Sequence, residues 1–499
     1  MTVLIGNLAA DGISVTLTSG SLPTWLTSAN YGVGAQVTAY TTDGSGNSIS
    51  PLFNVGVDVY GRKYSNKVPS SGIPTIATIA DSTHFTITAG FVTASPTGYS
   101  NLRFYIGKAW LAPQKSFIYQ NSNDVKNGGL NAPTGSDTSA GVGFLGADGG
   151  ISVDLAPAGI SKVAWFFADT YWATTLGQTR ANSAFIHNCI AIQNYTGFSA
   201  PDLSRDTATF YTRYFPESTF PGLPAEDVPN GEAQTYYWPQ GAICLSNRIL
   251  LSVLRVQQSS SGFSYDGYSV FSVGNLSATP DLWTFTEVAS PFFTGSVGAS
   301  MANWCDDGTY VYQSGFTSQV SSYAAYLVRW LKSDVTASPS NLMRPQYWCG
   351  QNIGWVDFSS IYGSDNISAP DQLGVYYYES IAADANGSTW RNSRGVYSML
   401  QASDGVTPQG IRVRQNATLE PSGNTRLGDV VFYPPNDVGI SATNQSIFWY
   451  YAGHIHAEQT WSGQGVDDVV VTYATNLHAS TLITDSANYY IQIIRVAGL

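Results

Sequence analysis

The chain never sustains a helical period. Its apolar residues come in short runs such as SVTLT, QVTAY, HFTITAG, NLRFYIG, VAWFFAD, ILLSVLRV, TYVYQSG, AYLVRWL, DVVVTYAT and YYIQIIRV, each rich in β-branched or aromatic side chains and closed by Gly, Asn, Asp, Ser or Pro. Such side chains pack well on a pleated surface, and turn residues at this frequency leave no room for three turns of amphipathic helix. The pattern predicts an all-β fold. A chain of 499 residues is long enough for roughly two or three cores.

A boundary falls near residues 107–120. Ahead of it, residues 1–105 give roughly seven short strands with turn signals such as TDGSGN and SSGIP, a spacing that suits a small β-sandwich of immunoglobulin or fibronectin type. We place this unit at 1–110 and read the turn-rich stretch 111–139 as a linker or lead-in strand. From 140 to 499 a loose repeat sets in: GADGGISVDL then KVAWFFADTYW, YYWPQGAICL then RILLSVLRV, VGASMANWCDDGTYVYQSG then YAAYLVRWL, QNIGWVDF then LGVYYYESIAA and GVYSMLQ, SIFWYYAGHI then DDVVVTYATN. Five units of roughly 60–70 residues predict a five-bladed β-propeller. Stacked sandwiches, as in a tail fibre, are the alternative, but they do not require this order of units.

Composition narrows the function classes. Charged residues make up only 11% of the chain, against the usual quarter or so, so solubility rests on Ser, Thr, Asn, Gln and Gly. The net charge of −12, with Lys and Arg unclustered, argues against a nucleic-acid partner, which needs a basic face. No apolar run reaches the length of a membrane span, so no membrane insertion is expected. The opening MTVLIGNLAADGISVTL lacks the charged, apolar and cleavage regions of a signal peptide. Action outside a cell would then require release by lysis or in a phage particle. Cys189, Cys244, Cys305 and Cys349 lie far apart without a CxxC pair, which predicts buried free thiols rather than disulfides or metal ligands. His454 and His456 would share one side of a strand; a structural role outweighs a metal or substrate site for them. No metal and no cofactor is expected. The chain holds no GxSxG elbow, no P-loop, and no glycine-rich turn placed to open a helix.

The segment GADGGISVDL followed by a strand ending FFADTYW resembles the opening of a bacterial and phage family of five-bladed propellers catalogued as a domain of unknown function. Further matches follow in order: FIHNCIAIQN, YYWPQGA, GASMANWCDDGTYVY, AYLVRW, VVVTYATN and YYIQIIRV. The resemblance covers about residues 140–499 and leaves the first 110 without a match. It implies a fold similar to that of arabinanases and related furanosidases. Some members are endo-D-arabinanases that cut mycobacterial arabinogalactan and lipoarabinomannan, and others belong to tail proteins of phages infecting those bacteria. The family has Gly where this chain has Ala168, beside Asp169.

By this resemblance Asp148 and Asp169 are the catalytic carboxylates. The chemistry agrees, because glycoside hydrolysis needs one protonated acid and one carboxylate acting as base or nucleophile. Asp148 at the start of one strand and Asp169 at the end of the next would share a sheet edge. Each residue alone also suits a β-turn cap. Trp165, Phe166 and Phe167 beside Asp169 favour it as the buried acid. Candidate substrate-binding residues are Asn188, Trp238, Tyr237, His187, Trp304, Glu379 and His456, with Glu232 behind them; core packing is the competing role for each aromatic. Arg255 and Arg329 are expected to pair with carboxylates between blades. The expected function is a phage tail-associated glycoside hydrolase that cleaves host cell-wall arabinan at the host surface. Its expected partners are the polysaccharide and, through the N-terminal unit, other tail proteins; nothing in the pattern fixes a homo-oligomer. The alternative is a structural or receptor-binding tail protein that holds glycan without cutting it.

Overall fold

In the computed structural model of the chain, the described residues are 3–28, 31–52, 56–57, 63–64, 73–88, 97–109, 143–173, 183–195, 201–202, 207–211, 234–259, 262–289, 299–319, 322–357, 378–379, 388–402, 410–420, 428–434, 448–477 and 491–499. The expected linker 111–139 and Glu232 lie outside them. The described residues form an all-β protein, with α-helix confined to Thr24–Thr27 and Lys332–Ala337.

Four sheets are self-contained blades of antiparallel strands, ordered outward from an innermost strand. Blade I runs from Gly143–Asp154 through Lys162–Ala173 and Cys189–Asn194 to Thr207–Tyr211, and blade II from Gln234–Leu245 through Arg248–Ser259 and Gly262–Gly274 to Thr284–Ala289. Blade III begins with Ala299–Asp306, Tyr310–Gln319 and Ser322–Leu331, and blade IV comprises Ser388–Arg391, Tyr397–Ala402, Ile411–Asn416 and Asp429–Phe432. Among the described residues the separate blades thus number four, not the five expected. The strands Phe448–His456, Val469–Leu477 and Ile491–Ala497 do not close a separate sheet but pair onward through Tyr99–Ala109 into a ten-stranded sheet shared with the N-terminal residues. Their innermost strand, Phe448–His456, still touches the innermost strands of blades I and IV, so the ring closes through this shared sheet. The expected fourth unit is also re-divided. QNIGWVDF forms the rim of blade III, with Trp355–Asp357 paired to Gln346–Trp348, and blade IV starts only at Ser388.

Sheets stacked face to face bury both sides of their middle strands, so those strands read as unbroken apolar runs rather than alternating ones. Val163 to Phe167 are all buried, as are Ile249, Leu250, Leu251, Val253 and Val256. Each Val, Leu, Ile or Phe among them stabilises the fold by roughly 1.5–3 kcal/mol relative to exposure.

The N-terminal unit curls on itself. Leu4–Leu8 pairs with Ser14–Ser19 and with Tyr99–Ala109, and the far edge, Ile76–Ile79, returns to Gln36–Thr42 through backbone bonds between Gly34 and Ile76 (2.8 Å) and between Val37 and Pro74 (2.8 Å). Its outer wall is fastened to blade IV. Thr38 Oγ1 donates to the Val430 carbonyl (2.7 Å), Gln36 Nε2 donates to the Tyr433 carbonyl (2.8 Å), and Tyr105 O–H donates to Asp429 (2.9 Å).

Candidate active site

The two aspartates lie inside their strands, not at a strand start and a strand end as the sequence suggested. They meet at a break in the blade I ladder. Pairing runs as far as Ala147 opposite Thr170 and resumes at Gly149 opposite Phe167, so Asp148 alone faces the pair Ala168 and Asp169. A second irregularity follows between Gly149 and Ile151. Bulges of this kind turn a side chain out of the regular alternation. Gly149 and Gly150 make this one possible: both have left-handed backbone, with φ of +81° and +88°. A Cβ at 149 would stand 3.0 Å from the Ala168 nitrogen, and one at 150 would stand 2.8 Å from Ile491 Cδ1. The sequence Asp-Gly-Gly is therefore a structural requirement for aiming Asp148.

Asp169 is gripped from blades I and II. Its Oδ1 accepts Trp238 Nε1–H at 2.7 Å and bonds His187 Nδ1 at 2.8 Å. The imidazole of His187 stacks on Tyr236, with centroids 3.6 Å apart and planes within 7°, while Phe185 closes its edge at 5.9 Å. Asp169 and His187 keep 15% and 13% side-chain exposure, enough for a ligand to reach them. Asp148 is buried, and Tyr451 O–H donates to its Oδ2 from the innermost strand of the shared sheet. Asp148, Trp238 and Tyr451 all stand on innermost strands, and the bonds of Trp238 to Asp169 and of Tyr451 to Asp148 link three sheets around the two aspartates.

The other candidates divide. Asn188 is buried and structural in its contact: Nδ2 donates to the Tyr237 carbonyl (2.8 Å), tying blade I to blade II beside Asp169. Tyr237 itself is buried edge-on against Phe271 at 5.4 Å, in the core. Trp304 is buried next to Trp330 and donates to Ser252 Oγ at 2.9 Å. Glu379 belongs to the short strand Tyr378–Glu379 at the outer edge of blade III, opposite Tyr323 and Ala324. Trp165, Phe166 and Phe167 point into the core, so the apolar pocket expected around Asp169 is replaced by the two N–H donors. Arg329, expected beside a carboxylate, lies instead between the rings of Tyr310 (4.0 Å) and Trp355 (4.1 Å) and bonds Gln346 (2.9 Å). All four cysteines are buried free thiols.

His456 is wholly buried deeper in the ring, below the carboxylates. Its Nε2 bonds Thr472 Oγ1 at 2.7 Å, its Nδ1 bonds Ser152 Oγ, and its ring lies 4.7 Å from Trp165. Ser152 Oγ also donates to Glu458. Burial pushes the Glu458 carboxyl up to about 7 and the His454 imidazole down to about 3. Burial, helped by His454 beside it, holds His456 well below its ordinary value. These groups form an inner polar layer rather than a ligand surface. Among the described residues no three His, Cys, Asp or Glu side chains are grouped to hold a metal ion.

Tyr451 and Tyr236 were not singled out by the sequence. Both stand in aromatic runs, FWYYAG and TYYWP, where nothing separates a site residue from core packing.

The class that this fold defines is a propeller-like β protein, with two aspartates opposed across a bulge in its first blade. Residues 138–360 match a family model described as a domain of unknown function, DUF5005. No curated protein matches the chain. Among solved structures, a Bacteroides ovatus protein described as a candidate hydrolase aligns with 79% of this chain and 90% of its own at 12% identity and a TM-score of 0.52. At that identity the likeness is one of fold. Two others align more loosely. The catalytic domain of a family-62 α-L-arabinofuranosidase of Coprinopsis cinerea gives 10% identity, coverage of 71% and 91%, and a TM-score of 0.35. A family-117 glycoside hydrolase of Zobellia galactanivorans gives 12%, coverage of 74% and 87%, and 0.37.

Proposed function

We propose that the protein is a glycoside hydrolase working through Asp148 and Asp169. The observation that supports this reading is the opposition of the two aspartates across one break in the innermost ladder, each held by a donor from a different sheet. In this reading Asp148 gives its proton to the glycosidic oxygen as the bond to the anomeric carbon breaks. Asp169, whose Oδ1 takes two N–H donors, serves as base or nucleophile on the opposite face. Carboxyl separations of ~5 Å give retention and ~6.5–9.5 Å give inversion.

The finer reading rests on the family resemblance. The substrate would be the D-arabinan of a mycobacterial cell wall, cut in the endo sense. The protein would ride on a phage tail, with exposed faces of its N-terminal unit meeting other tail proteins. The half-buried Trp238 beside Asp169 supports a sugar ligand, since an indole can offer one face to a sugar ring while its N–H holds the carboxylate.

The test is oligosaccharide release from purified mycobacterial arabinogalactan by the parent, Asp148→Asn and Asp169→Asn. Both substitutions keep size and remove the ionisable group. Product from the parent with a loss of ~10²-fold or more in each variant is expected. Binding of glycan by the parent without product would make the propeller a receptor-binding head and refute the hydrolase.

A further inference from the structure

We infer that His187 and Trp238 are positioning residues for Asp169, holding its Oδ1 so that Oδ2 is the oxygen that reacts. The inference rests on the hydrolase reading above. Both N–H groups converge on one atom: Trp238 Nε1 lies 2.7 Å and His187 Nδ1 2.8 Å from Oδ1. An ionised carboxylate only accepts, so the Nδ1 that faces it carries a proton. Among the described residues no donor reaches Oδ2, and the Asp169 side chain keeps 15% exposure. As a base, Oδ2 takes a proton from water, whose oxygen bonds to the anomeric carbon. As a nucleophile, Oδ2 forms that bond itself. In either case the glycosidic oxygen leaves with the electron pair of the broken C–O bond and takes a proton from the site's acid. Oδ1 keeps both of its donors throughout.

Strand register builds this grip. On the edge of Lys162–Ala173 away from Asp148, Phe167 stands opposite Cys189 and Thr170 opposite Ile186. Two residues intervene on each side, so Asp169 falls opposite His187 and Ala168 opposite Asn188. Side chains directly opposite on neighbouring strands share a face and interact. Blade II supplies the other half. Tyr236 and Trp238 lie two apart in a regular stretch of Gln234–Leu245 and so point to one side, with the buried Tyr237 turned to the other. Tyr236 stacks flat on the imidazole at 3.6 Å, which holds the ring plane in which Nδ1 meets Oδ1. Trp238 bonds the carboxylate itself. One strand of blade II thus fixes both members of the Asp169–His187 pair, and Asn188 fastens that strand to blade I through the Tyr237 carbonyl.

The experiment measures kcat and KM on arabinogalactan for the full-length parent, His187→Phe, His187→Asn, Trp238→Phe and Asp169→Asn, with thermal unfolding of each. His187→Phe keeps a ring for Tyr236 and removes the donor. His187→Asn loses the ring but carries an N–H where Nδ1 was. A carboxylate displaced by as little as ~1 Å reacts more slowly without weakening ground-state binding. The kcat of His187→Phe should therefore fall by ~10-fold or more with KM within ~2-fold of the parent, and His187→Asn should recover most of that loss. Trp238→Phe should also lower kcat, by removing the second donor. A raised KM with intact kcat in His187→Phe would make the histidine a sugar contact and overturn the inference. Equal losses in both His187 variants, tracking a drop in thermal stability, would mean a merely structural histidine and overturn it too. A normal His187→Phe beside an inactive Asp169→Asn would overturn the inference and leave the hydrolase reading standing. A parent that releases no product overturns the hydrolase reading, and this inference with it.

Discussion

Glu458 offers a perturbation whose size follows from the structure. The carboxyl lies in the inner polar layer with 16% side-chain exposure, accepts from Ser152 Oγ, and has the buried His456 ring nitrogen 3.8 Å away. Burial raises it from its ordinary 4.5 to about 7. The folded protein therefore keeps this proton between pH 4.5 and 7, where the unfolded chain has lost it. Stability contributed by the group is fully present at and below pH 4.5 and declines as pH rises through 7. About 2.5 pH units at ~1.36 kcal/mol each amounts to about 3 kcal/mol of lost stability. Glu458→Gln keeps an acceptor for Ser152 and has no charge to bury. Guanidinium unfolding of parent and variant at pH 5 and pH 8 measures the difference. The variant should be close to the parent at pH 5 and more stable by about 2–3 kcal/mol at pH 8. His454 and His456 act in the opposite sense, withholding protons from the fold below pH 6.5, but they are present in both proteins and cancel in the comparison. A parent-to-variant difference that is the same at both pH values would refute the reasoning.

Gly150→Ala places a Cβ on a left-handed residue against Ile491. It should lower stability by about 2–4 kcal/mol, from backbone strain and overpacking together, and should reduce product release by disturbing Asp148; thermal unfolding and the arabinogalactan assay read the two effects. Deleting residues 1–110 removes the Tyr99–Ala109 strand that pairs with Ile491–Ala497 and strips blade IV of the Gln36, Thr38 and Tyr105 bonds. The remainder should be aggregated or lack native β signal by gel filtration and circular dichroism. A monodisperse, fully folded 111–499 fragment would contradict this.

The strands were legible because each declares itself locally. Runs such as VAWFFAD and ILLSVLRV are too short and too β-branched or aromatic for helix, and their continuity signals two buried faces. Grouping strands into blades was harder, since pairing between distant segments leaves no local mark. QNIGWVDF resembles the start of a repeat, yet it pairs with Gln346–Trp348 immediately before it and finishes blade III. The closing sheet was beyond reach for the same reason. Nothing in NLRFYIGKA says that its second half will pair with strand Ile491–Ala497 while its first half pairs with Leu4–Leu8.

The site shows the same division between local and long-range information. Asp148 and Asp169 were named from the family resemblance, and their place on two turn-linked neighbouring strands was legible locally. What the glycines do, however, is visible only against Ala168 and Ile491. His187 and Trp238 were named as sugar contacts, and the structure shows both bonding Asp169, a role that for Trp238 needs blade II folded against blade I. Composition hides such roles in this chain: with aromatics at 13% of residues, an aromatic beside a strand end is core by default. The low charge has the opposite effect. A carboxylate amid apolar runs must find donors or remain exposed, so tracing the donors of each inward Asp recovers the candidate site. For Asp169 that search gives His187 and Trp238, and for Asp148 it gives Tyr451, which no motif had marked.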